Sequence, residues 1–149
     1  MREALVEAEN ALARGDRPIG AVIVHDGKII ASGSNAFLTS KSNIEHAEMR
    51  ALRSCAPFLQ TRGQECTIYT TVEPCLMCLG AIVMCEIGSI VFGMHDNWIK
   101  PRLAIENVPH LANRIDLYLG GVIEAECEEL YKKFSLREHE MIKTGVKRT

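Results

Sequence analysis

The stretch Thr70-Thr71-Val72-Glu73-Pro74-Cys75-Leu76-Met77-Cys78 decides the fold of this chain. Residues 67–71 are all β-branched or aromatic, which is typical of a strand. Pro74 suits the turn that begins a helix, because the N–H that proline lacks would be unpaired there. The sequence therefore predicts a strand, a short turn and a helix from Cys75 to about Glu86. That helix is apolar on nearly every face, so we expect it to be buried.

Cys75 and Cys78 indicate a metal site at the start of this helix. They are three residues apart and share one face of the first turn, where unpaired N–H groups and the helix dipole favour thiolates. Upstream, residues 44–48 predict the start of another helix, and His46 is the expected third ligand of a zinc ion. Three protein ligands leave one tetrahedral position open to water, as in catalytic zinc sites. Glu48 is then the predicted catalytic residue, which carries the proton of that water.

The two motifs differ in how specific they are. A His-x-Glu triplet is expected by chance roughly 0.5 times in a chain of this composition, whereas Pro-Cys-x-x-Cys is expected roughly 0.01 times. Two other readings of the cysteines stay open, a thioredoxin-like redox pair and a closed structural zinc site with His95 or Cys66 as the fourth ligand. Both readings leave Glu48 without a role. The sequence therefore favours one zinc ion per chain in an open, catalytic site.

These segments make the chain resemble the cytidine-deaminase-like superfamily, whose signature is His-x-Glu followed by Pro-Cys-x-x-Cys. Further matching segments lie at 18–24, 33–35, 80–82 and 87–93, so that the resemblance spans about half of the chain. Within the superfamily, the chain looks most like the branch of bacterial tRNA adenosine deaminases, guanine deaminases and fungal-type cytosine deaminases. The resemblance implies a three-layer α/β/α fold around a five-stranded mixed sheet. It also implies a homodimer.

The resemblance further implies a set of substrate-binding residues. Asn35 takes the place of the family's base-binding asparagine, and an amide offers a base edge both a donor and an acceptor. Ordinary turn chemistry is the alternative for Asn35. The backbone N–H of Ala47 is expected to contact the substrate. Gly20 and Ala21 are expected to line the pocket floor, because they are small enough to admit a flat ring.

The segment 93–110 contains the remaining candidates. A loop of this length inside a compact domain is usually functional. Trp98, the only tryptophan, is predicted to stack on a base, with a role in roofing the core as the alternative. Asp96 is a further candidate for substrate contact.

Three functions fit these residues. The first expectation is zinc-dependent hydrolytic deamination of an amino-substituted nucleobase or small nucleoside, cytosine-like or guanine-like, with release of ammonia. The alternatives are a tRNA-specific adenosine deaminase and a catalytically inactive zinc-binding scaffold. Residues 93–101 are bulky where the tRNA branch has a small, Gly-rich loop, and residues 42–45 lack that branch's Asp-Pro. The net charge of −2 also gives no general attraction for RNA, so the sequence favours a small substrate over tRNA.

The length and composition describe one ordinary globular domain. We expect a single domain over residues 1–149, because strands and helices alternate without a linker. Residues 55–65 are expected to be irregular, 93–110 to form a loop, 122–143 to form one long helix and 147–149 to be disordered.

The composition also bears on location. No apolar run approaches the ~18 residues of a membrane span, and the N-terminus lacks a signal-peptide core. We therefore expect a cytoplasmic protein that does not enter the membrane. In that setting, the six cysteines favour metal binding over a disulfide framework.

Overall fold

The computed structural model describes residues 1–147, so Arg148 and Thr149 of the predicted disordered tail lie outside the described residues. The strands are β1 (Gly20–His25), β2 (Lys28–Ser34), β3 (Cys66–Val72), β4 (Ser89–Met94) and β5 (Leu117–Leu119). The helices are α1 (Arg2–Ala13), α2 (Ala47–Ser54), α3 (Ala56–Arg62), α4 (Leu76–Met84), α5 (Arg102–Asn107), α6 (Pro109–Ala112), α7 (Glu124–Phe134) and α8 (Leu136–Thr144), with a 3₁₀ turn at Gly63–Glu65.

The five strands form one mixed sheet in the order β2-β1-β3-β4-β5. β1 runs antiparallel to β2 and β3, whereas β4 runs parallel to β3 and β5. Asp26 and Gly27 join β1 to β2, and both have positive φ, as a tight hairpin turn between twisted strands requires. The predicted five-stranded mixed sheet is confirmed.

Helices cover both faces of the sheet. One apolar cluster joins the sheet to α2, α3 and α4, and a second joins it to α1, α7 and α8. The carboxyl ends of the parallel strands β3, β4 and β5 meet at one edge, where α4 begins. The predicted three-layer arrangement is therefore present, and it places the metal-binding motifs at this edge.

Gly33 allows the start of α2 to lie directly against the sheet. A Cβ atom at this position on β2 would stand 2.2 Å from the carbonyl oxygen of Ala47. Every other residue carries a Cβ atom, so the close approach requires glycine. The contact fixes the end of α2 that follows His46.

Helix α4 is buried on one face only. Leu76, Met77 and Met84 are exposed, and a Cβ atom at Gly80 would meet nothing within 4 Å. These four positions lie within about a quarter of the helix circumference, given 3.6 residues per turn. The prediction that this helix is buried on every side is wrong for this face, which is exposed in the single chain. Its core face is formed by Cys78, Leu79, Ile82 and Val83.

Two segments predicted to lack regular structure contain helices. Residues 55–65 include α3, and residues 93–110 include α5 and the first half of α6. Pro57 and Pro109 occupy the first turns of α3 and α6, where the N–H groups that proline lacks are not needed. Both expectations of irregular structure were therefore wrong.

The long helix predicted at 122–143 is divided into α7 and α8. Ser135 has an extended backbone, and its hydroxyl accepts a hydrogen bond of 3.1 Å from the N–H of Glu138. This is the N-cap of a new helix, which ends α7 at Phe134 and starts α8. In the described part of the chain, no helix has the length and apolar character needed to cross a membrane.

Candidate metal and active site

Each of the three predicted metal ligands lies at the beginning of a helix. His46 and Cys75 occupy the N-cap positions of α2 and α4, both with extended backbones, and Cys78 lies in the first turn of α4. α2 and α4 contact each other, and β3 runs directly into the turn before α4. Two helix starts from distant parts of the sequence thus converge at one point.

The geometry of these side chains fits a zinc ion. The Nδ1 atom of His46 lies 3.5 Å from each of the two cysteine Sγ atoms, and all three atoms lie within 4.8 Å of one another. Tetrahedral bonds of about 2.0–2.3 Å set ligand atoms roughly 3.6 Å apart. Within residues 1–147, His46, Cys75 and Cys78 are the side chains close enough together to hold a metal ion. Neither His95 nor Cys66 belongs to this group. A closed site with either residue as a fourth ligand is therefore not supported.

The protonation of the cysteines also suits a cation. The hydrogen bond from the Cys78 thiol, with the neighbouring His46 ring, lowers the pKa of Cys75 to about 4 despite burial. The pKa of the Cys78 thiol is raised by the same hydrogen bond and by burial. The lowered pKa of Cys75 favours the thiolate, which is the form of cysteine that binds zinc.

Glu48 lies in the first turn of α2 and is buried, with 3% of its surface exposed. The Thr70 hydroxyl donates a hydrogen bond of 3.4 Å to its Oε1 atom. Burial raises the pKa of Glu48 above the ordinary value for a glutamate. Because His46 precedes the helix proper, its side chain and that of Glu48 reach the same cavity even though they are two residues apart.

That cavity has a volume of about 230 Å³. Its metal-binding end is formed by His46, Glu48 and Cys75. The other walls come from the segment between α1 and β1, from the ends of β3 and β4, and from α7 and α8. They comprise Arg17, Ile19, Val72, Glu73, Asp96, Trp98, Ile99, Tyr131, Glu138, Met141 and Ile142.

The predicted substrate-binding residues divide into two groups. Asp96 and Trp98 line the cavity, as expected for substrate contact. Gly20 and Ala21 do not form its floor, because the Cα of Gly20 faces the backbone of α1 and Ala21 lies in the core cluster beneath α2. They therefore lie outside the lining of this cavity, and their contact with a substrate stays a prediction.

Asn35 and Ala47 also lie outside the lining of this cavity. Asn35 is buried, and its Oδ1 accepts a 3.1 Å hydrogen bond from the N–H of Phe37, which is the turn chemistry considered as the alternative. Ala47 is fully buried in the core. Their contacts with a substrate stay predictions.

Sequence reasoning missed one wall of the cavity. Arg17 donates from Nε to Glu138 at 2.9 Å, and the Tyr131 hydroxyl donates to the same carboxylate at 3.2 Å. The Arg17 guanidinium also lies 4.6 Å from the centre of the Phe37 ring. The Ser-x-x-Glu pattern at 135–138 would have located the start of α8, but no local pattern shows that Arg17 meets it.

Comparison with known proteins agrees with this geometry. Residues 1–94 match the family described as the cytidine and deoxycytidylate deaminase zinc-binding region. The chain belongs to this family. The prediction of a zinc-dependent deaminase fold, made from the His-x-Glu and Pro-Cys-x-x-Cys motifs, is thereby confirmed, as is zinc as the cofactor that the family binds.

Individual relatives refine the comparison. The chain is 37% identical over 141 residues to the tRNA-specific adenosine deaminase of Bacillus subtilis, covering 90% of this chain and 85% of that protein. A solved structure from a study of A-to-I editing by tRNA:A34 deaminases has a TM-score of 0.73 at 34% identity, covering 87% of this chain and 96% of that one. The guanine deaminase of B. subtilis has a TM-score of 0.56 at 38% identity, covering 62% and 60%.

Not every relative is of similar length. The chain spans 12% of the length of the chloroplastic tRNA(adenine(34)) deaminase of Arabidopsis thaliana, to which it is 46% identical over 153 residues. Because that relative is chloroplastic, the cytoplasmic location of this protein stays a prediction.

Proposed function

We propose that this protein is a hydrolytic deaminase that converts adenosine in tRNA to inosine. The observation that carries the proposal is the likeness to the B. subtilis tRNA-specific enzyme, which extends over 85% of that protein rather than over the metal motifs alone. The structural likeness to a tRNA:A34 deaminase, over 96% of its chain, supports the same substrate class. These findings favour tRNA over the free base or nucleoside that the sequence motifs suggested.

The proposed chemistry assigns a role to each group at the metal-binding end of the cavity. His46, Cys75 and Cys78 would hold zinc, which when bound acts as a Lewis acid and lowers the pKa of water toward neutrality. Glu48 removes a proton from the attacking water and delivers it to the ring nitrogen next to the carbon under attack. The exocyclic amine leaves as ammonia once it has been protonated, so adenosine and water give inosine and ammonia.

The other walls position the base. Trp98 provides an aromatic surface on which a base can stack, and such stacking is worth about 1–3 kcal/mol per base. Asp96 lies beside it, and burial raises the pKa of this carboxyl group. Met141 and Ile142 of α8 add apolar wall that helps to exclude water from the reacting atoms.

Deamination of a free aminated base, such as guanine, is the second candidate. The 38% identity to guanine deaminase supports it, although over a smaller share of the chain. The bulky Trp98 and Ile99 at a cavity of about 230 Å³ also suit a small ligand.

One assay separates these candidates. We expect the zinc-loaded protein to form inosine at a single adenosine of an anticodon stem-loop, with no ammonia from free cytosine, guanine, adenine or their nucleosides. A stem-loop carrying guanosine at the same position is the control. Ammonia from a free base, without inosine in the stem-loop, would replace the tRNA proposal with the second candidate. No turnover with any substrate would favour the inactive scaffold.

We also propose that a second copy of this chain covers the exposed face of α4, which gives the predicted homodimer. Leu76, Met77 and Met84 present apolar surface from a helix that is otherwise part of the core, and an exposed apolar patch of this kind marks an interaction site.

Met84→Glu tests the homodimer, since a charge in the centre of such an interface opposes association. We expect sedimentation velocity to show a dimer for the wild type and a monomer for this variant. Leu136→Glu, at an exposed apolar position on α8, is the matched control and should remain dimeric. A wild-type monomer at micromolar concentration contradicts the proposal.

A further inference from the structure

A buried carboxylate lies immediately before the metal-binding turn. Glu73 precedes Pro74 and Cys75 at the carboxyl end of β3, and 5% of its surface is exposed. The backbone N–H of Glu73 donates to the carbonyl of Met94 at 2.8 Å, so the main chain here is tied to the end of β4. The deamination steps described above do not use its side chain.

Donors from two neighbouring strands converge on this carboxylate. The Tyr118 hydroxyl, on β5, donates to Oε1 at 2.9 Å. The backbone N–H of Asp96, just after β4, donates to Oε2 at 2.8 Å. The Nδ1 atom of His95 lies 3.9 Å from the same oxygen. One side chain therefore connects the carboxyl ends of all three parallel strands.

Asp96 continues this connection into the cavity wall. Its Oδ1 accepts hydrogen bonds from the backbone N–H groups of Trp98, at 2.9 Å, and Ile99, at 2.8 Å. The side chains of both residues line the cavity. Hydrogen bonds thus link Glu73, the residue before Pro74-Cys75, through Asp96 to the backbone that carries the Trp98 side chain.

We propose that Glu73 is a positioning residue, whose carboxylate fixes the 96–99 segment, and with it Trp98, relative to the metal-binding turn at Cys75. The proposal rests on the proposed deaminase function, because it assigns Trp98 to the substrate. The substrate ring must place its reacting carbon at the metal site while its face rests on Trp98. A small displacement of Trp98 relative to the metal site is therefore expected to lower the rate of deamination strongly.

The substitutions at Glu73 distinguish hydrogen bonding from charge. Glu73→Leu removes the acceptors and leaves the Tyr118 hydroxyl and the Asp96 N–H unpaired. Glu73→Gln retains both contacts, because its amide oxygen accepts from Asp96 and its NH₂ group donates to the Tyr118 oxygen. Tyr118→Phe removes one contact from a residue that does not line the cavity of the metal site.

Fluorescence of Trp98 gives a readout that needs no substrate. It is the only tryptophan of the chain, so the emission reports on this segment alone. In the zinc-loaded, substrate-free protein, we expect Glu73→Leu to increase acrylamide quenching and lower the fluorescence anisotropy. Tyr118→Phe should shift both in the same direction by less, and Glu73→Gln should match the wild type.

Kinetics with the active substrate gives the second readout. We expect Glu73→Leu to lower kcat/KM about 10- to 100-fold at full zinc occupancy, with Glu73→Gln within about threefold of the wild type. Leu59→Ala is the control for lost stability, because it leaves a cavity under the buried face of α3. Below the melting temperature of this variant, we expect neither its fluorescence nor its kcat/KM to change.

The outcomes separate this proposal from the proposed function. Unchanged fluorescence of Glu73→Leu overturns the positioning role, whatever the substrate proves to be. A Glu73→Gln protein as impaired as Glu73→Leu also overturns it, since the charge and not the hydrogen bonding would then matter. A change in fluorescence in a protein that deaminates nothing supports the positioning of the segment and refutes the function instead.

Discussion

Replacing Glu48 by glutamine is expected to lower kcat by about 10⁴-fold or more while zinc content and melting temperature change little. Glutamine has the same shape and can accept the hydrogen bond from Thr70, but its amide cannot carry a proton between water and the ring. General acid–base catalysis contributes about 10²–10⁴-fold, and the one carboxylate is proposed to act in more than one step. Single-turnover rates on the stem-loop, with zinc measured by atomic absorption, check the expectation.

Glu45→Gln is the matched control for this experiment. The same chemical change is made three residues upstream, on a carboxylate that pairs with Arg50 and Arg53 instead of facing the cavity. Its rate should stay close to that of the wild type. If Glu48→Gln retained a near-normal rate, another group would have to move the proton.

Removing one thiol of the proposed metal site is expected to have the largest effect on stability. Cys78 is fully buried between α4 and the His46 side chain, so Cys78→Ala should abolish stoichiometric zinc binding and all measurable turnover. Metal-binding free energy is also folding free energy, because the unfolded chain has no assembled site. The melting temperature of the purified variant should therefore fall well below that of the zinc-loaded wild type and no longer respond to added chelator.

A cysteine outside the site provides the comparison. Cys55 is buried between α2 and α3, where burial raises the pKa of its thiol to about 11. Cys55→Ala should lose some packing energy but keep one zinc ion per chain and its activity. Full zinc occupancy in Cys78→Ala, measured on the same preparation, would show that Cys78 is not a ligand.

The metal-binding end of the cavity could be predicted from the sequence because its geometry is largely local. Cys75 and Cys78 are brought together by a single helical turn, and Pro74 marks where that turn begins. The strands and the Asp26-Gly27 hairpin follow from equally local patterns. His46 was the one long-range partner, and the chemistry of its side chain identified it.

The rest of the cavity depends on contacts that no local pattern encodes. Arg17, just before β1, and Glu138, on α8, are separated by 121 positions and meet only through the tertiary packing of the chain. The break at Ser135 is different, because the Ser-x-x-Glu pattern at 135–138 is a local N-cap signal that the prediction of one long helix did not use. The exposed face of α4 shows a related difficulty, since an all-apolar helix indicates burial without saying which chain covers it.

The reactive end of the cavity comes from one part of the chain, whereas most of its wall residues come from another. The proposed zinc ligands and Glu48 lie within the first 94 residues, which match the family, whereas Asp96, Trp98 and the contributing parts of α7 and α8 lie beyond them. Mutations in the later part can therefore alter which ring is accepted while the hydrolytic chemistry stays intact. Divergence between enzymes that edit RNA and enzymes that act on free bases can proceed largely through the residues beyond 94, and a shared motif then reveals the reaction of a new member long before it reveals the substrate.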